Sequence, residues 1–264
     1  MALDLVPYLR VVWLGSASFF AGVLNTIAGG GSFLSLPALL ASSSAIGVGA
    51  VAAQATNTVA LWPGQVSALV AFRKQLRAYG WKLLPIAIAS GVGGEIGGWL
   101  LLRTGNHRFS ELLPWLLLFA ALMFVLSFPL GQWLATQTGG KRSNIGLIVG
   151  MVIVSVYVGY FSAGGGFLVM ALLGICGVHD IHEMNAIKVV TAVISIGIPA
   201  ITFIVARRVE WTFCLEMAAL AALGGYLGAH FSVRINQRVM RWTVAAIGFM
   251  TAGFFFVQNS MRHP

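Results

Sequence analysis

The sequence predicts an all-α polytopic membrane protein made of two five-segment repeats, each with a half-length helix after a triple-glycine motif. Three observations carry that reading. Only 9% of the 264 residues are charged and 58% are hydrophobic, whereas a soluble domain carries roughly 25% charged residues. Several stretches of roughly 20 residues hold no ionisable group, the length a helix needs to cross about 30 Å of hydrocarbon at about 1.5 Å per residue. The third observation is that the order of segments occurs twice. Continuous apolarity of this length selects helices, because barrel strands would alternate over about 10 residues.

Residues 1–10 carry Asp4 and lack a basic stretch or a small-residue cleavage site, so the first apolar run is expected to be a retained span. The runs are Val11–Ile27, Phe33–Ala41, Val48–Phe72, Leu83–Leu102, Leu112–Trp133, Ile145–Ser162, Phe167–Cys176, Asn185–Ala206, Trp211–Val233 and Met240–Val257. All but Phe33–Ala41 and Phe167–Cys176 are long enough to span.

The stretch Ala28-Gly29-Gly30-Gly31-Ser32-Phe33-Leu34 recurs as Ala163-Gly164-Gly165-Gly166-Phe167-Leu168, and Pro63 and Pro199 follow inside the next long run. Gly93 to Arg103 aligns without gaps on Gly224 to Arg234, and Trp115 and Trp242 open the last long run of each half. The repeats are therefore residues 1–136 and 144–264, joined by a linker at 137–143. Arg73, Lys74, Arg77 and Lys82 crowd one gap of the first half, whereas in the second half the following gap, with Arg234, Arg238 and Arg241, is the richer. A bias that reverses between equivalent gaps is the signature of inverted repeats, with the Arg73 and Arg234 gaps cytoplasmic.

The net charge of +9 sits mostly in those gaps, where it orients the chain and meets lipid headgroups; nucleic acid is not an expected partner. Cys176 and Cys214 have no metal-like spacing and read as packing residues. His179 and His182, near Asp180 and Glu183, read as an exposed loop rather than a metal site. No cofactor is expected.

A triple glycine before an apolar segment too short to span is a candidate helix break, tolerated at membrane depth where it is buried in protein or lines a cavity. Without Cβ atoms, its N–H groups can approach an anion, and the following helix adds a partial positive charge. Gly29, Gly30 and Gly31, with Gly164, Gly165 and Gly166, are thus candidate anion ligands. Gly93, Gly94, Gly97 and Gly98 and their counterparts read as small-residue packing faces, either inside one chain or between two copies of a homodimer.

Polar residues within apolar runs are the next signal, since lipid disfavours them unless they are partnered or face a cavity. They are Asn25 and Ser32 around the first break, Tyr160 and Ser162 before the second, Gln54, Thr56 and Asn57 on the next long run, and Lys188 and Thr191 on its counterpart. Lys188 must snorkel, pair with Asp180 or Glu183, or serve a bound anion. Glu95 and Glu216 are candidate proton carriers, because a carboxyl held away from water favours its protonated form.

Asn25-Thr26-Ile27-Ala28-Gly29-Gly30-Gly31-Ser32-Phe33 through Pro37, its second copy at Ala163 to Leu168, and Ala55-Thr56-Asn57 resemble the sulfite exporter TauE/SafE family over essentially the whole chain. That resemblance implies a multi-pass transporter of the cytoplasmic membrane that moves sulfite, sulfoacetate or a related organic anion. The motif carries over at Asn25, Gly29 to Gly31 and Gly164 to Gly166. The second copy has Tyr160 in place of Asn25 and no counterpart of Pro37.

The expected activity is non-ATP export by alternating access, with the anion between the two breaks near the midplane. An anion channel shares the same residues. An intramembrane serine hydrolase using Ser32 with His230 has little support, because no Ser/His pair shows a recognisable spacing.

Overall fold

The computed structural model describes residues 5–43, 47–71, 73–137, 144–178, 180–231 and 237–262. Residues 138–143 of the linker, His179 and Arg234 lie outside the described residues, as do the side chains of Lys74, His230 and Arg238. Among the described residues every regular element is a helix. The order is α1 (Leu5–Ala28), α2 (Ser32–Ser43), α3 (Ala50–Ala71), α4 (Arg73–Tyr79), a 3-10 turn (Gly80–Leu83), α5 (Leu84–Thr104), α6 (Asn106–Gln137), α7 (Asn144–Phe161), α8 (Gly165–Ile175), α9 (Ile181–Val205), α10 (Trp211–Phe231) and α11 (Gln237–Arg262).

Five stretches among the described residues are long and apolar enough to cross a membrane: Leu76–Thr104, Asn106–Leu126, Asn144–Phe161, His182–Val205 and Trp211–Gly228. Helices α1, α3 and α11, with 24, 22 and 26 residues, also exceed the roughly 20 needed at 1.5 Å per residue. Helices α2 and α8 have 12 and 11 residues. Large apolar side chains on the outer faces are exposed, Trp13 at 61% and Ile153 at 65%, as suits a surface whose solvent is lipid. The gap from Arg73 to Lys82 is not a plain loop: its basic residues lie on α4 and the 3-10 turn.

The halves exchange partners. Helix α5 packs on α7 and α9, and α10 packs on α1 and α3; likewise α6 packs on α8 and α11 on α2, while α3 meets α9 and α6 meets α11. Lipid gives helices no hydrophobic reason to associate, so close backbone approach must supply the contact. Glycine allows it here. A Cβ on Gly159 would stand 2.0 Å from the Gly94 carbonyl oxygen, and one on Gly224 would stand 2.0 Å from the Phe19 carbonyl oxygen. The faces of Gly93, Gly94, Gly97 and Gly98, and of Gly224, Gly225 and Gly228, pack against helices of the same chain, so they are not free for a homodimer contact.

The largest apolar cluster, which includes Phe33, Phe109, Phe124, Phe161 and Phe203, joins both halves. Beside it, polar groups accumulate at the two chain breaks.

Candidate functional site

The two glycine motifs meet. Helix α1 closes through Gly29, whose N–H donates to the Leu24 and Asn25 carbonyls at 3.0 Å. Gly29 then turns with φ 77, and Gly164 turns before α8 with φ 74. Both angles lie in the left-handed region that an L side chain disfavours. A Cβ on Gly29 would lie 3.2 Å from Cα of Gly166, so the first break rests on the backbone of the second. Ser162, with φ 50, takes the left-handed conformation without being glycine, a strained state of the kind that tertiary contacts must hold in place.

A hydrogen-bonded chain of side chains bridges the breaks. Ser32 Oγ and Ser162 Oγ are 3.0 Å apart, Asn57 Nδ2 donates to Ser32 Oγ at 3.3 Å, and Ser35 Oγ donates to Asn57 Oδ1 at 2.5 Å. All four residues are buried. Among the described residues the partners of Ser32 are Ser162 and Asn57, neither of them a base.

Beside this chain lies a cavity of about 30 Å³ lined by residues of both halves. Asn25, Thr26 and Gly29 come from the first half with Gln65 of α3; Ser162, Gly165 and Gly166 come from the second with Lys188, Thr191 and Ser195 of α9. Spacings of three and seven place Lys188, Thr191 and Ser195 on one helix face. Gly165 and Gly166 open α8, where first-turn N–H groups have no acceptor within the helix. Val158, Val169, Val189 and Ile196 supply the apolar part of the wall.

Lys188 is partly exposed to this space. Its ammonium has no hydrogen-bond or ion-pair partner among the described residues. The acids considered as its partners are engaged: Asp180 accepts from the His182 N–H at 2.8 Å, capping α9, and from the Tyr79 hydroxyl, and Glu183 also has an interaction. The carboxamides of Asn25 and Gln65 likewise have no partner among the described residues. Three polar head groups thus face one cavity with their hydrogen bonds unspent. Thr191 Oγ1 accepts from Ser90 Oγ at 3.3 Å and donates to Met151 Sδ at 3.4 Å, and Ser195 Oγ donates to the Thr191 carbonyl at 2.6 Å.

Other residues singled out from the sequence sit elsewhere. Gln54 is buried against Thr58 at 3.4 Å, its Oε1 without a partner among the described residues. Thr56 Oγ1 donates to the Ala52 carbonyl at 2.7 Å and accepts the Glu210 N–H at 2.9 Å, tying α3 to the start of α10. The Tyr160 hydroxyl donates to Thr104 Oγ1 at 3.1 Å, and its ring packs on Phe109. Gly30 faces Val244 and Phe33, Gly31 backs onto the Ala21 carbonyl, and Gly164 faces Ala120. Glu95 meets Thr202 on the outer side of α5. Glu216 faces Gly15 of α1, with Oε1 buried and unpartnered among the described residues.

Gln65 and Ser195 line the cavity without having drawn attention in the sequence, and Thr26 was noted only as part of the first glycine motif. For Gln65 a signal existed, since a carboxamide inside a span is as disfavoured as Asn25.

Comparison with known proteins finds a matching family and several relatives. The family model described as sulfite exporter TauE/SafE matches residues 14–255. The "Probable membrane transporter protein YfcA" of Escherichia coli (strain K12) is 28% identical over 229 residues, covering 85% of this chain and 81% of the relative. The "Probable membrane transporter protein ORF9" of a Sinorhizobium species is 23% identical over 242 residues, covering 91% and 88%. A "Probable membrane transporter protein" of Haemophilus influenzae is 25% identical over 236 residues, covering 88% and 89%. No solved structure matches significantly.

Proposed function

The chain belongs to the sulfite exporter TauE/SafE family, and from that premise we propose that it exports a small sulfur-containing anion, such as sulfite or sulfoacetate, across the cytoplasmic membrane. The transport is secondary: an inside-negative potential drives an anion outward with about 2.3 kcal/mol per charge per 100 mV. The observation that carries this reading is the convergence of the Lys188 ammonium and the Asn25 and Gln65 carboxamides, none with a partner among the described residues, on the cavity where the two glycine breaks touch. Lys188 supplies the charge. Asn25, Gln65 and the first N–H groups of α8 supply neutral donors, a set that suits an oxyanion.

A cavity of about 30 Å³ has room for roughly two waters, at 10–15 Å³ each by this measure. A sulfite needs more, so the walls must separate to admit it. Two inverted repeats that rock against each other would widen the cavity toward one side at a time. The exchange of helix partners between the halves supports that arrangement.

The test is thermal unfolding of the detergent-purified protein with sulfite, sulfate, sulfoacetate, taurine, lactate and chloride. A ligand that binds only the folded state stabilises it by RT ln(1 + [L]/Kd), about 2.7 kcal/mol at 100 Kd. Selective stabilisation by sulfite or a sulfonate, lost in Lys188→Gln and kept in Lys74→Ala, is expected. A cooperative transition that no anion shifts would overturn the assignment.

A further inference from the structure

The cavity between the glycine breaks meets its contents with a single charge. Its walls come from α1, α3, α7, α8 and α9, and Lys188 is the one charged residue among those that line it. Helices α3, α7 and α8 carry no charged residue. On α1 the cation Arg10 is stacked 5.0 Å from the Phe213 ring centre, fifteen residues before Asn25 and about 22 Å away along a helix. On α9, Glu183 belongs to the first turn and does not line the cavity.

The hydroxyls around the cavity have little left to give, because each carries one hydrogen. Thr26 donates to the Gly22 carbonyl at 3.1 Å, Thr191 to Met151 Sδ at 3.4 Å and Ser195 to the Thr191 carbonyl at 2.6 Å. Ser162 and Ser32 share one hydrogen between them at 3.0 Å. What remains for a ligand is the Lys188 ammonium, the Asn25 and Gln65 carboxamides and the opening N–H groups of α8. The rest of the wall is Val158, Val169, Val189, Ala192 and Ile196, which offers contact to a short alkyl group and nothing to a charge.

An anion with one charge is neutralised by Lys188, and its remaining lone pairs fall to the neutral donors. A dianion brings a second charge that no cation answers, and a charge enclosed by protein without a counter-charge is strongly disfavoured. The carboxamides and the α8 N–H groups reduce that cost without cancelling it, since the first anionic head already draws on them.

We propose that charge state sets the specificity of this cavity: it selects singly charged anions, such as hydrogensulfite or a monosulfonate with a short alkyl arm, and discriminates against dianions. Lys188 and Gln65 are the residues that set the preference. Lys188 supplies the one charge, and Gln65, reaching the same cavity from α3, meets the anion with a neutral amide where a cation would serve a second charge. The inference rests on the function proposed above and narrows it. Of the two anions named there, sulfoacetate has both its sulfonate and its carboxyl ionised at neutral pH and is the weaker ligand.

Sulfoacetate and its amide, sulfoacetamide, test this directly, because they share size and shape and differ by one charge. Titration of the thermal shift of the detergent-purified, full-length protein should give sulfoacetamide an affinity at least tenfold higher. In Gln65→Lys the preference should move at least tenfold towards sulfoacetate, a gain that a misfolded variant does not produce. Equal affinities for the two anions in the unmutated protein would overturn the proposal while leaving anion transport standing, as would a folded Gln65→Lys with an unchanged preference. No shift with either anion would overturn it as well, and no shift with sulfite besides would take the proposed function with it.

Discussion

The two long helices that follow the glycine breaks, α3 and α9, occupy corresponding places in the two halves and use Asn57 and Lys188 in opposite ways, although Gln65 farther along α3 also lines the cavity. On α3, Asn57 spends its amide on Ser32 and Ser35, and Thr56 bridges to the Glu210 N–H. On α9, Lys188 has no partner among the described residues and lines the cavity, with Thr191 and Ser195 on the same face. A buried polar group that is satisfied internally specifies the packing. One left with free donors against a cavity is what a ligand site requires. The repeat thus supplies two similar frames, and the side chains divide the work: the first half chiefly holds the breaks together, and the second half supplies the charge.

The sharpest way to break that comparison is to remove the charge. Lys188→Gln should weaken anion affinity by roughly tenfold to hundredfold, the value of a charge-assisted hydrogen bond at about 1.5–3 kcal/mol. Without anion its melting temperature should not fall, because the change removes a charge that has no partner among the described residues. Titration of the thermal shift against anion concentration measures both. The mirror-image variant, Asn57→Ala, leaves Ser32 and Ser35 short of a partner and should cost about 1–3 kcal/mol of stability. Its anion affinity, scaled for the folded fraction, should stay within a few-fold. Equal effects of both variants on affinity would dissolve the distinction between the halves.

How much of this could be read beforehand follows from the physics of each feature. Long uncharged runs announce helices because lipid imposes one solution on the backbone, and the two triple glycines announce breaks because each precedes a segment too short to span. Lys188 was legible as an isolated charge. Thr56 and Asn57 were not separable, since adjacent helical residues point about 100° apart and only packing decides which face meets what. Tyr160 stands in the place of Asn25 in the repeat, yet its longer side chain reaches Thr104 and Phe109. Gln65 needs the bend of the fold to bring α3 beside α9, information that no local pattern holds.

A smaller effect sharpens the structural side of the comparison. Thr56→Val keeps the shape of the side chain and removes the acceptor for the Glu210 N–H as well as the donor to Ala52. The expected loss is about 1 kcal/mol, the value of one hydrogen bond or helix-start contact. Anion affinity should be unchanged, and calorimetry with and without sulfite reads both quantities.

The smallest effect concerns how the same two helices begin. Helix α3 is capped from outside, with the Val51 N–H donating to Asn106 Oδ1 at 3.1 Å, a neutral group that does not titrate. Helix α9 is capped by its own Asp180, whose carboxyl is held below its usual range, first by the Tyr79 hydroxyl and then by the His182 N–H. Because the folded state favours the ionised form, the stabilisation is complete above the unfolded carboxyl value of about 3.9 and drains away as pH falls through the lower folded value. Acidification below about pH 4 should therefore loosen the start of α9 more than that of α3. Asp180→Asn keeps a side-chain oxygen for the cap, so its acid-side loss of melting temperature should be shallower than that of the unmutated protein. Hydrogen exchange in the first turn of each helix would locate the change. Equal acid sensitivity at both helix starts would mean that the two caps, charged and neutral, do the same work.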